Sequence, residues 1–288
     1  MILLENENVK VSFVQKGAEL RSLIHKTTKI EYMWPAKAEF WAKTSPVLFP
    51  IVGALKNDSY TYKNKKYTLG RHGFARDLDF NFEQISASEV LFTLEDTADT
   101  WINYPFKFNL GIRYKLSGAS LSCTYEVFNP GTEDLLFSIG GHPAFAVPLK
   151  EQEQYSDYYL QFNKDEALEA NKIADNLIAD ETTFIALDEG KLALNHALFY
   201  EDALVFKNLK SDQIALLNTK NAHGLHFSFK DFPYFGIWSA RDADFVCLEP
   251  WCGIADAVHH DGQLLDKEGV EKLLPQKTWK RKWELAIF

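Results

Sequence analysis

Cysteine is scarce in this 288-residue sequence, which contains only Cys123, Cys247 and Cys252 and no CxxC pair. This number and spacing argue against a disulfide framework and a cysteine-based zinc site, so we interpret the three residues as reduced packing residues. No run approaches the ~20 apolar residues that a membrane-spanning helix needs. The N-terminus also lacks the basic and apolar regions of a signal peptide, so we expect a cytoplasmic protein without a membrane partner.

Basic residues are in the minority, with 31 Lys and Arg against 40 Asp and Glu, and the formal net charge is -9. Nucleic-acid binding needs a clustered basic face, so we expect no nucleic-acid partner. The basic stretch 277–282 is interleaved with Trp279 and Trp283, which predicts that its charges lie on the solvent side of a strand. A neutral small molecule fits this charge balance better.

Linkers of Pro, Gly or Ser, low-complexity segments and fixed-period repeats are also absent, which predicts one domain over residues 1–288. The aromatic content of 14% suits strands and carbohydrate sites. The sequence leaves open whether the protein is a monomer or a homodimer.

Alternation of apolar and polar residues with period two is the dominant pattern along the chain. It predicts a hairpin around Ser117 and Gly118, and further strands with apolar residues at Val90, Phe92 and Leu94, at Leu225, Phe227 and Phe229, and from Trp279 to Ile287. Helical periodicity is weak, with short candidates at 166–178 and 267–274, and the polar segment 150–198 is expected to form loops with a short helix. The pattern therefore predicts an all-β, antiparallel sandwich with one or two short helices.

Three segments combine glycine or proline with ionisable and aromatic side chains, namely residues 71–77, 140–145 and 248–256. In the second, two glycines permit a sharp turn or a close ligand, and Pro143 restricts the backbone after His142. In the third, Glu249 follows an apolar run, where an unpaired carboxylate is costly and its pKa is raised. Both residues suit acid–base catalysis, although a hydrogen-bonded turn histidine and an ion-paired glutamate are equally acceptable interpretations when each is considered alone.

His72 lies in the first segment between Arg71 and Gly73 and is a second candidate site histidine. The guanidinium groups of Arg71 and Arg76 could bind sugar hydroxyls or a carboxylate, although surface arginines are usually only solvated. The occurrence of His72, Arg71 and Arg76 together supports their assignment to a site, whereas none of the three supports it alone.

The sequence resembles the aldose 1-epimerase (galactose mutarotase-like) superfamily, and within it the LacX-like branch, over nearly the whole chain. The segments that carry the resemblance are 46–53 (PVLFPIVG), 72–76 (HGFAR), 141–145 (GHPAF) and 249–251 (EPW). The branch is also similar to the hexose-6-phosphate 1-epimerase-like proteins.

The resemblance implies a galactose mutarotase-like β-supersandwich whose site needs no cofactor and no metal. His142 would be the general acid, Glu249 the catalytic glutamate and His72 a ligand of a ring or hydroxyl oxygen. Arg76 would bind substrate, whereas Arg71 occupies a position where relatives often carry another polar residue. Glu249 would remove the proton of the C1 hydroxyl and His142 would protonate the ring oxygen, so that the sugar ring opens and closes on either face.

Sugars place apolar C–H faces on aromatic rings, and carboxylates accept hydrogen bonds from their hydroxyl groups. Trp251, two residues after Glu249, is the first candidate for such a platform. The others are Trp34, Trp41 and Trp238, with Asp231 or Asp256 as hydroxyl acceptors.

Three alternatives remain open from the sequence. The substrate could be a phosphorylated hexose bound by Arg71, Arg76 and Lys56, or the protein could bind a carbohydrate without catalysis. A metal site is a weaker hypothesis, because the adjacent histidines of its candidate ligands cannot easily face one ion. Those ligands would be Asp256, His259, His260 and Asp261.

Overall fold

A computed structural model describes all of residues 1–288, and most of its secondary structure is β-strand. The strands are β1 (Ile2–Glu5), β2 (Val9–Phe13), β3 (Leu20–His25), β4 (Val47–Leu48), β5 (Ser59–Tyr62), β6 (Lys65–Thr68), β7 (Asn81–Ser86), β8 (Glu89–Glu95), β9 (Asn109–Ser117), β10 (Ser120–Phe128), β11 (Leu135–Phe137), β12 (Ile139–Gly141), β13 (Ala144–Ala146), β14 (Tyr158–Phe162), β15 (Ala167–Ala174), β16 (Leu177–Ala186), β17 (Lys191–Ala193), β18 (Leu204–Phe206), β19 (Gln213–Asn218), β20 (Leu225–Ser228), β21 (Tyr234–Trp238), β22 (Phe245–Cys252), β23 (Glu271–Leu273) and β24 (Thr278–Ile287). The one α-helix is α1 (Ala98–Asn103). Short 3₁₀ turns occur at Lys56–Asp58, Ala75–Asp77, Tyr155–Asp157, His196–Phe199 and Leu264–Asp266. No helix of this chain has the length and apolar character that a membrane span requires.

Two large antiparallel sheets make up the sandwich. One has nine strands in the order β17-β14-β19-β20-β24-β10-β9-β8-β7. The other has eight, in the order β16-β15-β18-β21-β22-β12-β4, with β13 paired to β22 outside this path. Smaller sheets are formed by β1-β2-β3, β5-β6 and β11-β23.

The core lies between the two large sheets, where aromatic rings of one sheet contact those of the other. Phe227 of the nine-stranded sheet lies 6.0 Å from Phe145 of the eight-stranded sheet, and Phe229 lies 4.1 Å from Phe235, both between ring centroids. Such contacts are worth roughly 0.5–1.5 kcal/mol each beyond the area they bury. The antiparallel β-sandwich predicted from the alternating pattern is therefore confirmed.

The predicted strands are present with the expected exposure. β9 and β10 form the hairpin around Ser117 and Gly118, with Ser117 paired to Ser120. In β24 Lys280 and Lys282 are exposed while Trp283 is buried, which confirms the solvent side for these lysines, whereas the half-buried Arg281 projects from the face of Trp279 and Trp283. The three cysteines are free and buried, as predicted.

The helix predictions were wrong. Residues 166–178 form β15, a turn and the start of β16, and residues 267–274 contain β23, so segment 150–198 is largely strands rather than loops with a helix. The turn residues Asp175 and Asn176 both have positive φ, which closes a tight hairpin and prevents a continuous helix. The helix α1 was missed, although Thr97 and Thr100 form a reciprocal capping box at its start.

Candidate active site

A cavity of about 280 Å³ lies on the outer face of the eight-stranded sheet, the face directed away from the core. Strand β22 explains why chemical groups reach this face. Val246 and Leu248 belong to the main core, so the residues that alternate with them, Cys247, Glu249 and Trp251, point to the other side. Of these three, Glu249 and Trp251 line the cavity.

His142 is placed beside Glu249 by the pairing of two strands. Ala144 of β13 pairs with Cys247 of β22, and the amide of Leu248 donates to the carbonyl of Pro143 at 3.1 Å. Continuing this antiparallel register brings His142 opposite Glu249. Their side chains meet, with 3.3 Å between His142 Nε2 and Glu249 Oε2, and both residues are less than one-tenth exposed.

Two glycines make room for the indole of Trp251. A Cβ atom on Gly140 would lie 2.5 Å from Trp251 Cδ1, and one on Gly236 would lie 2.5 Å from its Cη2 and Cζ2 atoms. Carbon atoms normally approach to only about 3.5–4.0 Å, so neither position tolerates a side chain without displacing the indole. Gly140 of the GGHPAF segment thus serves the packing of Trp251, and the Nε1 group of this indole is buried without a hydrogen-bond partner.

The loop that carries His72 is folded tightly against residues 49–53. His72 and Gly73 both have a φ of 69°, and a Cβ atom on Gly73 would lie 2.3 Å from the carbonyl oxygen of Phe49. The amide of His72 donates to Gly53 O at 2.8 Å, and the amide of Gly53 donates back to His72 Nδ1 at 3.1 Å. His72 is therefore buried and rigidly held, with its ring centroid 5.9 Å from that of His142.

Arg71 and Arg76 line the cavity from the same loop. Arg71 Nη1 donates to Asn176 Oδ1 at 2.9 Å, and Arg71 Nε lies 3.2 Å from His72 Nε2. Arg76 Nη2 donates to the carbonyl of Arg71 at 3.1 Å, while its buried Nε has no hydrogen-bond partner. The Nε atom also lies 3.8 Å from Asp77 Oδ2, so the positive charge is paired although this N–H group donates no hydrogen bond.

Two tryptophans enclose His142. The Trp41 ring is stacked on it at 4.8 Å and 29°, and Trp238 meets it edge-on at 5.6 Å and 84°. Both line the cavity. Trp34 does not line the cavity, because its ring is buried and its Nε1 group donates to the carbonyl of Trp41.

The prediction that Asp231 binds substrate has to be corrected. Asp231 is exposed in the turn between β20 and β21, and its carbonyl accepts a hydrogen bond from Arg281 Nε at 3.1 Å, outside the cavity. Asp256 is also occupied elsewhere, since its buried carboxylate pairs with buried Lys267 at 2.7 Å. This ion pair holds the segment that brings Ala255 to the cavity wall.

Two polar residues of the cavity were not predicted. Asn176 is at the tip of the β15–β16 hairpin, and Asp202 precedes β18. The turn pair Asp175-Asn176, between the apolar residues Ile173 and Ile178, was a usable hairpin signal. Asp202 follows Glu201 between apolar residues and has no distinguishing local pattern.

Burial dominates the electrostatics of the catalytic candidates. It raises the pKa of the Glu249 carboxyl well above its ordinary value, although the positive charge of Arg71 opposes this. It lowers the pKa of His142 to about 3, and the charges of Arg71 and Arg76 act in the same direction. The pKa of His72 lies well below its ordinary value, chiefly through burial and then through His142, Arg71 and Arg76.

The metal site considered from the sequence is not assembled. His259 is exposed and pairs with Asp180 at 3.1 Å, whereas Asp256 is held by Lys267. A different group can approach one ion: the donor atoms of His142, Cys247 and Glu249 all lie within 4.8 Å of one another.

Comparisons with known proteins agree with this architecture. The family model described as aldose 1-epimerase matches residues 1–271. The plasmid-encoded protein LacX of Lactococcus lactis subsp. lactis is 35% identical over 297 residues, covering 99% of both chains. The structure of a galactose mutarotase related enzyme from Lactobacillus acidophilus is 35% identical with a TM-score of 0.95, covering 100% of this chain and 97% of the other. A galactose mutarotase-like protein from Lactobacillus casei ATCC 334 is 29% identical with a TM-score of 0.91, covering both chains fully. This chain belongs to the aldose 1-epimerase family and has the galactose mutarotase-like fold.

Proposed function

We propose that this protein is an aldose 1-epimerase that interconverts the α and β anomers of a free hexose. The observation that carries the proposal is the contact of 3.3 Å between His142 Nε2 and Glu249 Oε2 at the wall of a cavity. An acid and a base of this kind contribute about 10²–10⁴-fold each when they are positioned on the reacting atoms. No cofactor is needed for this chemistry.

The short separation of the two groups suits a reaction at one carbon. Ring opening removes a proton from the C1 hydroxyl and adds one to the ring oxygen, and both oxygens are attached to C1. Glycosidases place two carboxyl groups on either side of the bond that is cleaved. These groups are about 5–5.5 Å apart in retaining enzymes and about 6.5–9.5 Å apart in inverting enzymes, which need room for a water molecule. The closer pair formed by Glu249 and His142 can instead address two oxygens on the same carbon.

The pair of Glu249 and His142 holds one proton before and after the transfers. The proton is on His142 at the start and on Glu249 at the end. When Glu249 accepts the C1 proton and His142 releases its own to the ring oxygen, the products are a neutral carboxyl group and a neutral imidazole. Burial favours this neutral pair, because it raises the pKa of Glu249 and lowers that of His142. The open-chain sugar then rotates about C1–C2, and the reverse transfers close the ring on the other face.

In this proposal His72 donates a hydrogen bond to the sugar. Its Nδ1 atom accepts from the amide of Gly53, so the neutral ring carries its proton on Nε2. Arg71 Nε–H faces this same atom, and a neutral imidazole cannot accept at both nitrogens. We infer that the exposed Arg71 side chain moves when a sugar binds, which leaves Nε2–H free to donate to a sugar oxygen.

The remaining polar groups suit several hydroxyls. Arg76 and Asn176 offer N–H donors at one side of the cavity, and Asp202 offers an acceptor. The indoles of Trp41, Trp238 and Trp251 provide apolar surfaces for the C–H faces of the ring. Further lining residues are Gly53, Ile173, Ile178, Ala203, Val205, Ile254 and Ala255.

A phosphorylated hexose is the second candidate substrate, favoured by the two arginines of the cavity. Two observations favour the free sugar instead. Asp202 lines the same cavity and would repel a phosphate, and Lys56 is directed away, with its Nζ donating to the carbonyl of His260. Comparing the turnover of glucose and glucose 6-phosphate tests this choice.

The test of the proposal is exchange NMR of α and β anomers with a panel of free and phosphorylated aldoses. We expect Glu249→Gln and His142→Ala to reduce the enzymatic rate by about 10²–10⁴-fold while the proteins remain folded. Asp231→Asn is the matched control, since its carboxylate is outside the cavity and its loss should leave the rate unchanged. Wild-type rates in either site variant would refute the proposal, and sugar binding without any acceleration by the wild type would favour a non-catalytic carbohydrate-binding protein.

A further inference from the structure

Cys247 is a buried nucleophilic group that the proposed reaction does not use. It lies two residues before Glu249 on β22, so both side chains project from the same face of the strand. Its partner on β13 is Ala144, whose small side chain leaves the thiol beside the imidazole of His142. A thiol, an imidazole and a carboxylate therefore meet at one place, and their donor atoms all lie within 4.8 Å of one another.

The spacing of these atoms approaches that of a tetrahedral metal site. Zn–N and Zn–O bonds of about 2.0–2.2 Å and a Zn–S bond of about 2.3 Å place ligand atoms roughly 3.3–3.7 Å apart. The 3.3 Å between His142 Nε2 and Glu249 Oε2 already matches one edge of such a tetrahedron. The sulfur atom lies at most 4.8 Å from the other two donor atoms, so it has to move closer by roughly 1.3 Å at most.

The chemistry of the three donors selects the kind of ion. A thiolate and an imidazole favour Zn²⁺ and similar transition-metal ions, whereas Mg²⁺ and Ca²⁺ prefer sites built from oxygen atoms. Three protein ligands leave a fourth position open, and two of them, His142 and Glu249, line the cavity from which an ion can reach them. An ion bound there would engage the same imidazole and carboxylate that the proposed reaction uses.

We propose that Cys247, His142 and Glu249 form an inhibitory binding site for Zn²⁺ that competes with the sugar. Binding breaks the S–H bond of Cys247 and the O–H bond of the neutral Glu249 carboxyl, forms Zn–S and Zn–O bonds beside the Zn–N bond to neutral His142, and releases the two protons to solvent. The His142 Nδ1 atom has no hydrogen-bond partner, whereas histidine ligands of resident metals are normally fixed by one. This favours a reversible inhibitor over a permanently bound ion. The competition with sugar rests on the proposed function, but the metal binding itself does not.

The experiment uses the 288-residue chain with ZnCl₂ in calorimetry and with CoCl₂ in absorption spectroscopy, where a thiolate ligand gives a charge-transfer band. We expect one Zn²⁺ per chain, a cobalt–thiolate band, and a rise in the KM for the sugar with an unchanged kcat. In Cys247→Ala the band should be lost and Zn²⁺ affinity should fall at least tenfold, since even outer-shell changes cost about 10–100-fold. Mutarotation without metal should be retained, because Cys247 is outside the proposed proton transfers.

His259→Asn is the matched control for binding at the surface, as this exposed histidine pairs only with Asp180. It should leave both the cobalt band and the inhibition unchanged. Cys247→Ser replaces Cys247→Ala if the latter does not fold. Equal Zn²⁺ affinity in the wild type and the Cys247 variant, or no thiolate band in the wild type, would overturn the proposal. If the wild type shows no mutarotation, calorimetry and the cobalt band still test the metal site, so the two proposals fail separately.

Discussion

Gly236→Ala tests whether the position of Trp251 depends on an empty space in the neighbouring strand. In the register of β21 and β22, Gly236 pairs with Glu249, and the added Cβ atom would lie 2.5 Å from Trp251 Cη2 and Cζ2. The normal carbon–carbon contact is about 3.5–4.0 Å, so the indole has to move by about 1 Å or more. Overpacking of this kind costs about 1–3 kcal/mol in the free energy of unfolding.

We expect a melting temperature several degrees lower, because 1 kcal/mol corresponds to about 2–4 °C in a domain of this size class. The KM for the sugar should rise as well, since the displaced indole lines the cavity. Gly70→Ala is the matched control, because a Cβ atom there meets nothing within 4 Å and its φ lies outside the left-handed region. Differential scanning calorimetry and exchange NMR measure the two effects.

The double variant Gly236→Ala with Trp251→Phe provides a specific rescue. The two atoms that would clash belong to the six-membered ring of the indole, and the smaller phenylalanine ring vacates part of that space. Gly236→Ala should therefore cost much less stability in the Trp251→Phe background than in the wild type, with a coupling energy of about 1–3 kcal/mol. Equal costs in both backgrounds, or a single variant with wild-type melting temperature and KM, would refute this explanation of the glycine.

Three further predictions concern other parts of the site. Asp202→Asn should raise the KM for free hexoses and reduce discrimination against glucose 6-phosphate, as steady-state kinetics would show; an unchanged preference would contradict a role in selectivity. Lys267→Met should destabilise the protein by about 3–5 kcal/mol in urea unfolding, because it leaves the Asp256 carboxylate buried without its ion pair; a loss below 1 kcal/mol would argue against that reasoning. Trp41→Leu should lower kcat about tenfold or more by removing the ring stacked on His142, whereas Trp41→Phe should retain most activity; equal effects of both would exclude stacking.

The sequence predicted the fold well where each strand has one buried and one exposed face. The hairpin of β9 and β10 is an example, since alternation over nine residues on each strand defines a period of two. The prediction failed for β15 and β16, where most residues are partly or fully exposed and no apolar face distinguishes a strand from a helix. These strands are stabilised by pairing with each other and with β18, which is tertiary information.

The candidate site likewise contains residues that the sequence could identify and residues that it could not. The resemblance singled out Glu249, His142 and His72, because each is part of a short segment of unusual composition. Asn176 could have been found through the Asp175-Asn176 turn signal, whereas Asp202 could not, since nothing in its local pattern distinguishes it from a residue of an ordinary turn. Asp231 was a wrong choice for the related reason that its place in the sequence says nothing about the direction of its turn.

By itself, the amino-acid sequence determined the period-two pattern, and with it an antiparallel sandwich of strands. Through its glycines, it also determined where the backbone could turn sharply or come close to another group. Only the tertiary structure decided that a carboxylate and an imidazole more than one hundred residues apart meet at 3.3 Å, with a thiol beside them. The physical reason is that the pairing of β13 with β22 sets this distance, and strand register depends on the packing of the whole sheet rather than on either segment alone.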